Sequence, residues 1–146
     1  MISRVASVLL LAMVTACAPR VIRVSTPQGV VDLDQFLAAH RLPDEGGIRA
    51  DRIGRTEGAS YHVVQVLGRE QPHRHDTHDL TVFVLRGRGV LTRQTSKTPL
   101  AAGDAAVVHR GEPHWFASEG AFPAVALVVF TPPLDAPDAD PLGEPR

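Results

Sequence analysis

Seven short strand-like segments follow one another between residues 48 and 130, and they leave few architectures open to this chain. Turn residues, most of them glycines, separate the segments, and no helical stretch of ten residues interrupts them. The segments are Ile48–Arg55, Ser60–Leu67, Leu80–Arg86, Val90–Gln94, Ala105–Val108, Trp115–Ser118 and Ala124–Phe130. Evenly spaced short strands without helices between them predict an antiparallel sandwich or barrel, so we expect an all-β fold.

The size and the charge of the chain exclude several classes of protein. Its 146 residues suffice for one domain with a single core. A formal net charge of -1 argues against a nucleic-acid partner, because a nucleic-acid binder carries a clustered basic excess. The single cysteine excludes an intramolecular disulfide and a cysteine-only metal site. Any metal must therefore be held by nitrogen and oxygen ligands.

The N-terminal segment has the pattern of a targeting signal. Arg4 precedes an apolar stretch from Val5 to Val14 that is too short to span a bilayer. The sequence around Cys17 then resembles the lipobox of bacterial lipoproteins, in which the cysteine is lipidated after cleavage. The resemblance implies a signal peptide over 1–16 and a membrane anchor at Cys17; an ordinary signal peptide is the alternative. Ala18 favours the outer membrane of the bacterial envelope, with the domain facing the periplasm.

The segments on either side of the strands complete the predicted organisation. Residues 17–47 are expected to form a tether and a short helix between Val30 and Arg41, with Asp32 as its N-cap. The barrel is predicted over 48–132. Residues 133–146 are rich in proline and acidic residues, so we expect a tail outside the core.

Five of the seven histidines fall between positions 73 and 114. His73 and His75 are two residues apart, so on a strand they project from the same face. This is the spacing that lets two imidazoles bind one metal ion. His78 follows three residues later, and His114 comes after a Gly-Glu-Pro turn. The pattern predicts a metal site built mainly from histidines.

These residues resemble the two motifs of the cupin superfamily. The first motif is a glycine, an H-x-H pair, a glutamate and a second glycine; Gly68, His73, His75 and Gly87 take the matching positions. The resemblance implies a double-stranded β-helix, a jelly-roll-like barrel with a small cavity. It also implies one divalent metal ion (Fe, Mn, Zn or Ni).

The second cupin motif runs from Gly103 through His109 and Gly111 to His114, which the resemblance makes the third metal ligand beside His73 and His75. His109 and Ser118 stand where the motif has a proline and an asparagine.

The fourth ligand position departs from the motif, because Leu80 occupies the place of the glutamate. His78 would share the face of Leu80 on a strand and is the favoured replacement. Asp79 is an alternative ligand, and a site of three histidines without a fourth protein ligand is another. We expect His62, Leu80 and Phe116 to line the cavity. Four further arginines could form a mouth for an anion, although such residues are more often a solvated rim: Arg86, Arg88, Arg93 and Arg110.

The sequence supports three functional hypotheses, since one fold hosts many chemistries. The first is a metal-dependent enzyme acting on a small molecule at the envelope, most concretely a mononuclear dioxygenase. The second is a non-enzymatic module that binds or senses a small ligand. The third is an isomerase or lyase, for which Tyr61, the only tyrosine, is the first residue to test. Exposed strand edges make a homodimer physically reasonable.

Overall fold

The structure is a computed structural model that describes residues 21–94 and 96–142. The predicted signal peptide and Cys17 lie outside these described residues. One helix and twelve strands form within them. The strands are β1 Arg23–Thr26, β2 Gly29–Asp32, β3 Gly47–Arg55, β4 Ser60–Leu67, β5 His73–His75, β6 Asp79–Arg86, β7 Arg88–Arg93, β8 Ser96–Ala101, β9 Ala105–Val108, β10 His114–Ser118, β11 Ala124–Thr131 and β12 Ala139–Pro141, and the helix α1 is Leu33–Ala39.

Two five-stranded antiparallel sheets make the body of the molecule, which confirms the predicted all-β fold. Their strand orders are β3-β4-β11-β6-β9 and β12-β5-β10-β7-β8. Buried residues of both sheets form one apolar cluster: Phe130 and Leu80 come from the first sheet, and Leu91 and Leu100 from the second. The two sheets therefore pack face to face, as in a jelly roll.

The N-terminal helix covers the outer face of the first sheet. Asp32 caps it as predicted, because its carboxylate accepts the main-chain N–H groups of Asp34 and Gln35. Leu33 is fully buried and packs in one cluster with Val63 and Val125. Strands β4 and β11 are thus covered on both faces, by the helix outside and by the second sheet inside.

Glycine is required at position 89, where two strands meet closely. A Cβ atom on Gly89 would collide with the carbonyl oxygen of Ala117 and the ring of Phe116. Strand β7 pairs with β10 at this point, with Gly89 opposite Ser118. The absence of a side chain lets the ring of Phe116 lie against the β7 backbone.

The C-terminal segment departs from its prediction as a tail outside the core. Residues 139–141 form β12, which pairs antiparallel with β5 and places Ala139 opposite His75. Leu134 packs against the main apolar cluster. The prolines left the segment without an alternating pattern, so the sequence did not indicate a strand. An edge strand nevertheless tolerates proline, because only one of its sides needs main-chain N–H donors.

Candidate metal centre

Three histidines from two neighbouring strands come together inside the barrel. His73 and His75 lie on β5, and His114 opens β10, where it is the register partner of His73. The ring centroids of His73 and His114 are 4.4 Å apart, and those of His75 and His114 are 5.5 Å apart. One ligand atom from each ring lies within 4.8 Å of the others. The predicted pairing of the H-x-H residues with His114 is thus present in the structure.

Each of these rings makes a hydrogen bond through Nδ1. The acceptors are the carbonyl oxygens of Gln71 and Glu112, both at 2.9 Å, for His73 and His114, and Oδ1 of Asp138 at 2.6 Å for His75. A carbonyl or carboxylate oxygen only accepts, so the proton lies on Nδ1 and the lone pair on Nε2. Three imidazoles that each present Nε2 as a lone-pair donor are a set that fits a divalent metal ion.

Burial favours the neutral form of two of these imidazoles, those of His75 and His114. Burial lowers the pKa of His114 to about 4. Burial also lowers the pKa of His75, although its hydrogen bond to Asp138 acts in the opposite direction. Neutral imidazole is the form that binds a metal, so the protein presents these ligands ready for binding near neutral pH.

Asp138 joins His75 to His78. Its Oδ2 atom contacts Nδ1 of His78 and accepts a 2.9 Å hydrogen bond from the hydroxyl of Thr77. Partial burial acts to raise the pKa of Asp138, but the hydrogen bonds from His75, His78 and Thr77 outweigh it and hold the pKa at about 2. Asp138 is therefore a carboxylate that orients a predicted metal ligand.

His78, the favoured fourth ligand, lies outside the three-histidine cluster. Its Nδ1 contacts Asp138, and its Nε2 donates to the carbonyl of Pro133 at 3.2 Å. Both ring nitrogens are thus engaged by the C-terminal segment. The choice of His78 relied on a strand face shared with Leu80, but the chain bends at Asp76–Thr77 between the two sheets, and His78 precedes the start of β6 at Asp79.

Asp79, the alternative ligand, also lies apart from the cluster. Its carboxylate accepts from the guanidinium of Arg110 at 2.7 Å and from the Arg110 main-chain N–H at 2.9 Å. These hydrogen bonds lower the pKa of Asp79 to about 2. Leu80 turns inward instead and is buried in the wall of the barrel. Among the described residues, the cluster therefore contains three histidines and no carboxylate ligand.

The three clustered histidines line a cavity of about 580 Å³. His62, Leu80 and Phe116 also line it, as the sequence predicted.

The four arginines considered as an anion mouth do not line the cavity. Each interacts elsewhere: Arg86 pairs with Asp34, Arg88 with Glu119 and Arg110 with Asp79, while Arg93 donates to the carbonyl of Val107. Tyr61 is not a lining residue either, because it alternates with His62 on β4 and faces the other side of the sheet.

His62 forms a second polar group in the cavity wall. Its Nε2 lies 2.9 Å from the hydroxyl of Ser60, which also accepts the main-chain N–H of Leu134 at 2.9 Å. When the Ser60 hydroxyl donates to Nε2 of His62, Nε2 is the acceptor and the imidazole proton lies on Nδ1. Burial lowers the pKa of His62, and the charge of Arg52 acts in the same direction. His62 is therefore a neutral hydrogen-bonding group beside the ligand space.

Glu70 is a site residue that the sequence argument missed. It lines the cavity three residues before His73, and its carboxylate accepts the main-chain N–H of Phe116 at 2.8 Å. Burial raises the pKa of Glu70, although the charge of His73 acts in the opposite direction. The sequence shows Glu70 as an acidic residue between Gly68 and His73. The cupin motif assigns no residue type to this position, so the motif did not mark Glu70 as a site residue.

The one helix in the described part of the chain, α1, lacks the length and apolar character needed to cross a membrane.

Comparisons with known proteins agree with this architecture. Residues 60–130 match the family model described as Cupin domain. An uncharacterized protein of Aquifex aeolicus (strain VF5) is 30% identical over 114 residues, which cover 78% of this chain and 93% of that protein.

Two solved structures share the fold. TT1209 from Thermus thermophilus superimposes with a TM-score of 0.61 at 28% identity, over 70% of this chain and 96% of that one. KdgF from Halomonas sp. gives a TM-score of 0.55 at 24% identity, over 59% of this chain and 81% of that one, and supports the fold alone. With the family match, the double sheet and the histidine cluster in place, the chain belongs to the cupin superfamily.

Proposed function

We propose that this cupin is a metal-dependent enzyme acting on a small molecule, and that it is a mononuclear dioxygenase. The observation that carries the proposal is the cluster of His73, His75 and His114, whose Nδ1 protons are all donated to acceptors at 2.6–2.9 Å. A face of three nitrogen ligands that leaves other positions open suits iron and oxygen chemistry.

The chain's own residues define what surrounds that centre. His73, His75 and His114 would hold the metal, which when bound would supply redox chemistry with dioxygen or Lewis-acid activation. A ligand packed against the apolar walls of the cavity would displace water there, which would strengthen electrostatic interactions at the metal. His62 and Glu70 line the cavity outside the cluster, and each would offer a polar atom that can hold or move a proton of the ligand.

Metal content provides the first test. The protein, purified without a metal-binding tag, is expected to contain close to one metal ion per chain by mass spectrometry. His114→Ala should lose the metal. His78→Ala should keep it, since both ring nitrogens of His78 are engaged elsewhere. His109→Ala is the matched control, because this exposed histidine lies outside the cluster. Failure of the wild-type protein to bind metal, even after reconstitution, would exclude the proposed enzyme.

Oxygen consumption tests the reaction class. After anaerobic reconstitution with ferrous iron, we expect oxygen uptake with a member of a panel of thiols, diketones and phenols. Substrate loss without oxygen uptake would point to an isomerase or lyase instead. Stoichiometric ligand binding without turnover would support a non-enzymatic binding module, which the missing carboxylate at Leu80 also favours.

We also propose that Cys17 carries a lipid anchor that holds the domain at the bacterial envelope, in the outer membrane and facing the periplasm. The support is the sequence Val14-Thr15-Ala16-Cys17 behind a short apolar segment. Expression with an alkyne-tagged fatty acid should label the wild-type protein and leave Cys17→Ser unlabelled. Labelling of both proteins, or of neither, would contradict the anchor.

A further inference from the structure

The inner face of the first sheet presents successive apolar rows to the cavity. In one row Val66 lies between Ile48 and Ala124 across strands β3, β4 and β11. In the next row Val64 pairs with Ala126. All of these residues line the cavity. A ligand lying along this sheet would meet apolar side chains over most of its length.

Small side chains explain why these rows leave an open space. Ala124 and Ala126 lie on the central strand β11 and Ala50 on the edge strand β3, where β-branched residues are the more usual choice. Each alanine leaves the volume that a valine or leucine would fill. The cavity of about 580 Å³ falls within the range of sites that hold small organic ligands.

The second sheet separates polar from apolar lining. Its three histidines lie on β5 and at the start of β10, whereas Leu91 and Leu100 line the cavity from β7 and β8, on the other side of β10 in the sheet. In this sheet, the histidines thus lie on one side of the cavity and the apolar residues Leu91 and Leu100 on the other.

The charges of the cavity disfavour ligands with several negative groups. Arg52 is the one lining arginine among the described residues, and its guanidinium lies 3.6 Å from the carboxylate of Asp135. Glu70 adds a further acid to the wall. Sugars are also disfavoured as ligands, because several of their hydroxyl groups would be buried against valine and alanine without hydrogen-bond partners.

We infer that the cavity binds a small amphipathic molecule with one polar, metal-binding head and an apolar body. The head faces the three histidines and the body lies along the rows of Val64, Val66, Ala124 and Ala126. The inference rests on the proposed function for the head, because that end requires the metal, whereas the body depends on the apolar wall alone.

A chain-length series of unbranched monocarboxylates, from butanoate to decanoate, tests the inference by calorimetry. The probes are titrated into the full chain, both loaded with zinc and metal-free. Affinity should rise about fourfold for each added methylene until the cavity is filled. Zinc should raise the affinity of every probe by a similar factor, since it acts on the head.

Ala126→Leu narrows the cavity, and Ala105→Leu on the exposed face of β9 is its matched control. In Ala126→Leu the rise in affinity should end about two or three methylenes earlier, because the added carbons occupy ligand space. Ala105→Leu should behave as the wild type. Circular dichroism and metal content verify that both variants fold.

The outcomes separate this inference from the proposed function. Affinity that does not depend on chain length, or equal effects of the two leucine variants, would overturn the amphipathic ligand even if metal binds normally. Affinities that rise with chain length but are equal with and without zinc for every probe would support the apolar wall and contradict the metal-bound head. A protein that takes up no zinc would contradict the proposed function, while the metal-free series still tests the wall.

Discussion

The imidazole of His75 and the carboxylate of Asp138 are joined by a 2.6 Å hydrogen bond across 63 residues of the chain. The bond connects the metal-ligand strand β5 to the C-terminal segment, and the main-chain pairing of Ala139 with His75 lies beside it. Because Asp138 also holds His78, one carboxylate positions both histidines. The docking of the C-terminal segment and the orientation of His75 are therefore physically coupled.

Replacing Asp138 by asparagine should weaken metal binding about 10- to 100-fold, the usual cost of losing such an orienting carboxylate. The asparagine side chain has one acceptor oxygen, so it can accept a hydrogen bond from His75 or from His78. It lacks the two charged oxygens with which Asp138 accepts from both histidines. Competition against a calibrated chelator measures the effect. The control is Asp140→Asn, because Asp140 belongs to the same C-terminal segment but pairs with Arg74 at 2.8 Å. Equal losses in the two variants would show that general docking of the segment, rather than Asp138, determines metal affinity.

Glu70 offers a test of whether its charge or its hydrogen bond matters. Glu70→Gln keeps an acceptor for the main-chain N–H of Phe116 and should change the free energy of unfolding little. Glu70→Ala leaves that N–H without its acceptor and should destabilise the protein by about 1–3 kcal/mol. Chemical denaturation of both variants, each checked for metal content, distinguishes the roles. Equal stability of the two variants would argue against a structural role for the hydrogen bond.

The close contact at Gly89 predicts a large effect from a single methyl group. Gly89→Ala forces the added Cβ against Ala117 and Phe116, so the β7–β10 pairing must shift. We expect a loss of about 1–3 kcal/mol in the free energy of unfolding. Gly58→Ala is the control, since nothing lies within 4 Å of a Cβ atom at that position. A Gly89→Ala protein as stable as the control would contradict the contact.

The sequence predicted the residues that local periodicity controls. His73 and His75 share a strand face because side chains alternate. The resemblance of the segment from Gly103 to His114 to the second cupin motif identified the third ring. The strands with alternating or apolar patterns were located to within one or two residues, as for Ser60–Leu67 and Ala105–Val108. These features depend on neighbours in the sequence, which a pattern can reveal.

Features that depend on distant contacts were not predictable in this way. Strand β8 was missed because Pro99 interrupts its pattern, yet an edge strand tolerates a proline. The environment of His78 depends on Asp138, which lies 60 residues away in a segment without periodicity. No local pattern could show that this segment returns to β5 and supplies a carboxylate there.

The ion pair between Asp79 and Arg110 predicts how stability depends on pH at the acid end. Arg110 lowers the pKa of Asp79 to about 2, below the value of about 4 expected in the unfolded chain. The folded state therefore binds the proton more weakly, so the pair's contribution is full above about pH 5 and is lost as the pH falls toward 2. Urea unfolding of the wild type and Asp79→Asn between pH 2 and 7 should show a stability difference that shrinks on acidification. A difference that stays constant over that range would mean that the carboxylate charge of Asp79 does not stabilise the fold.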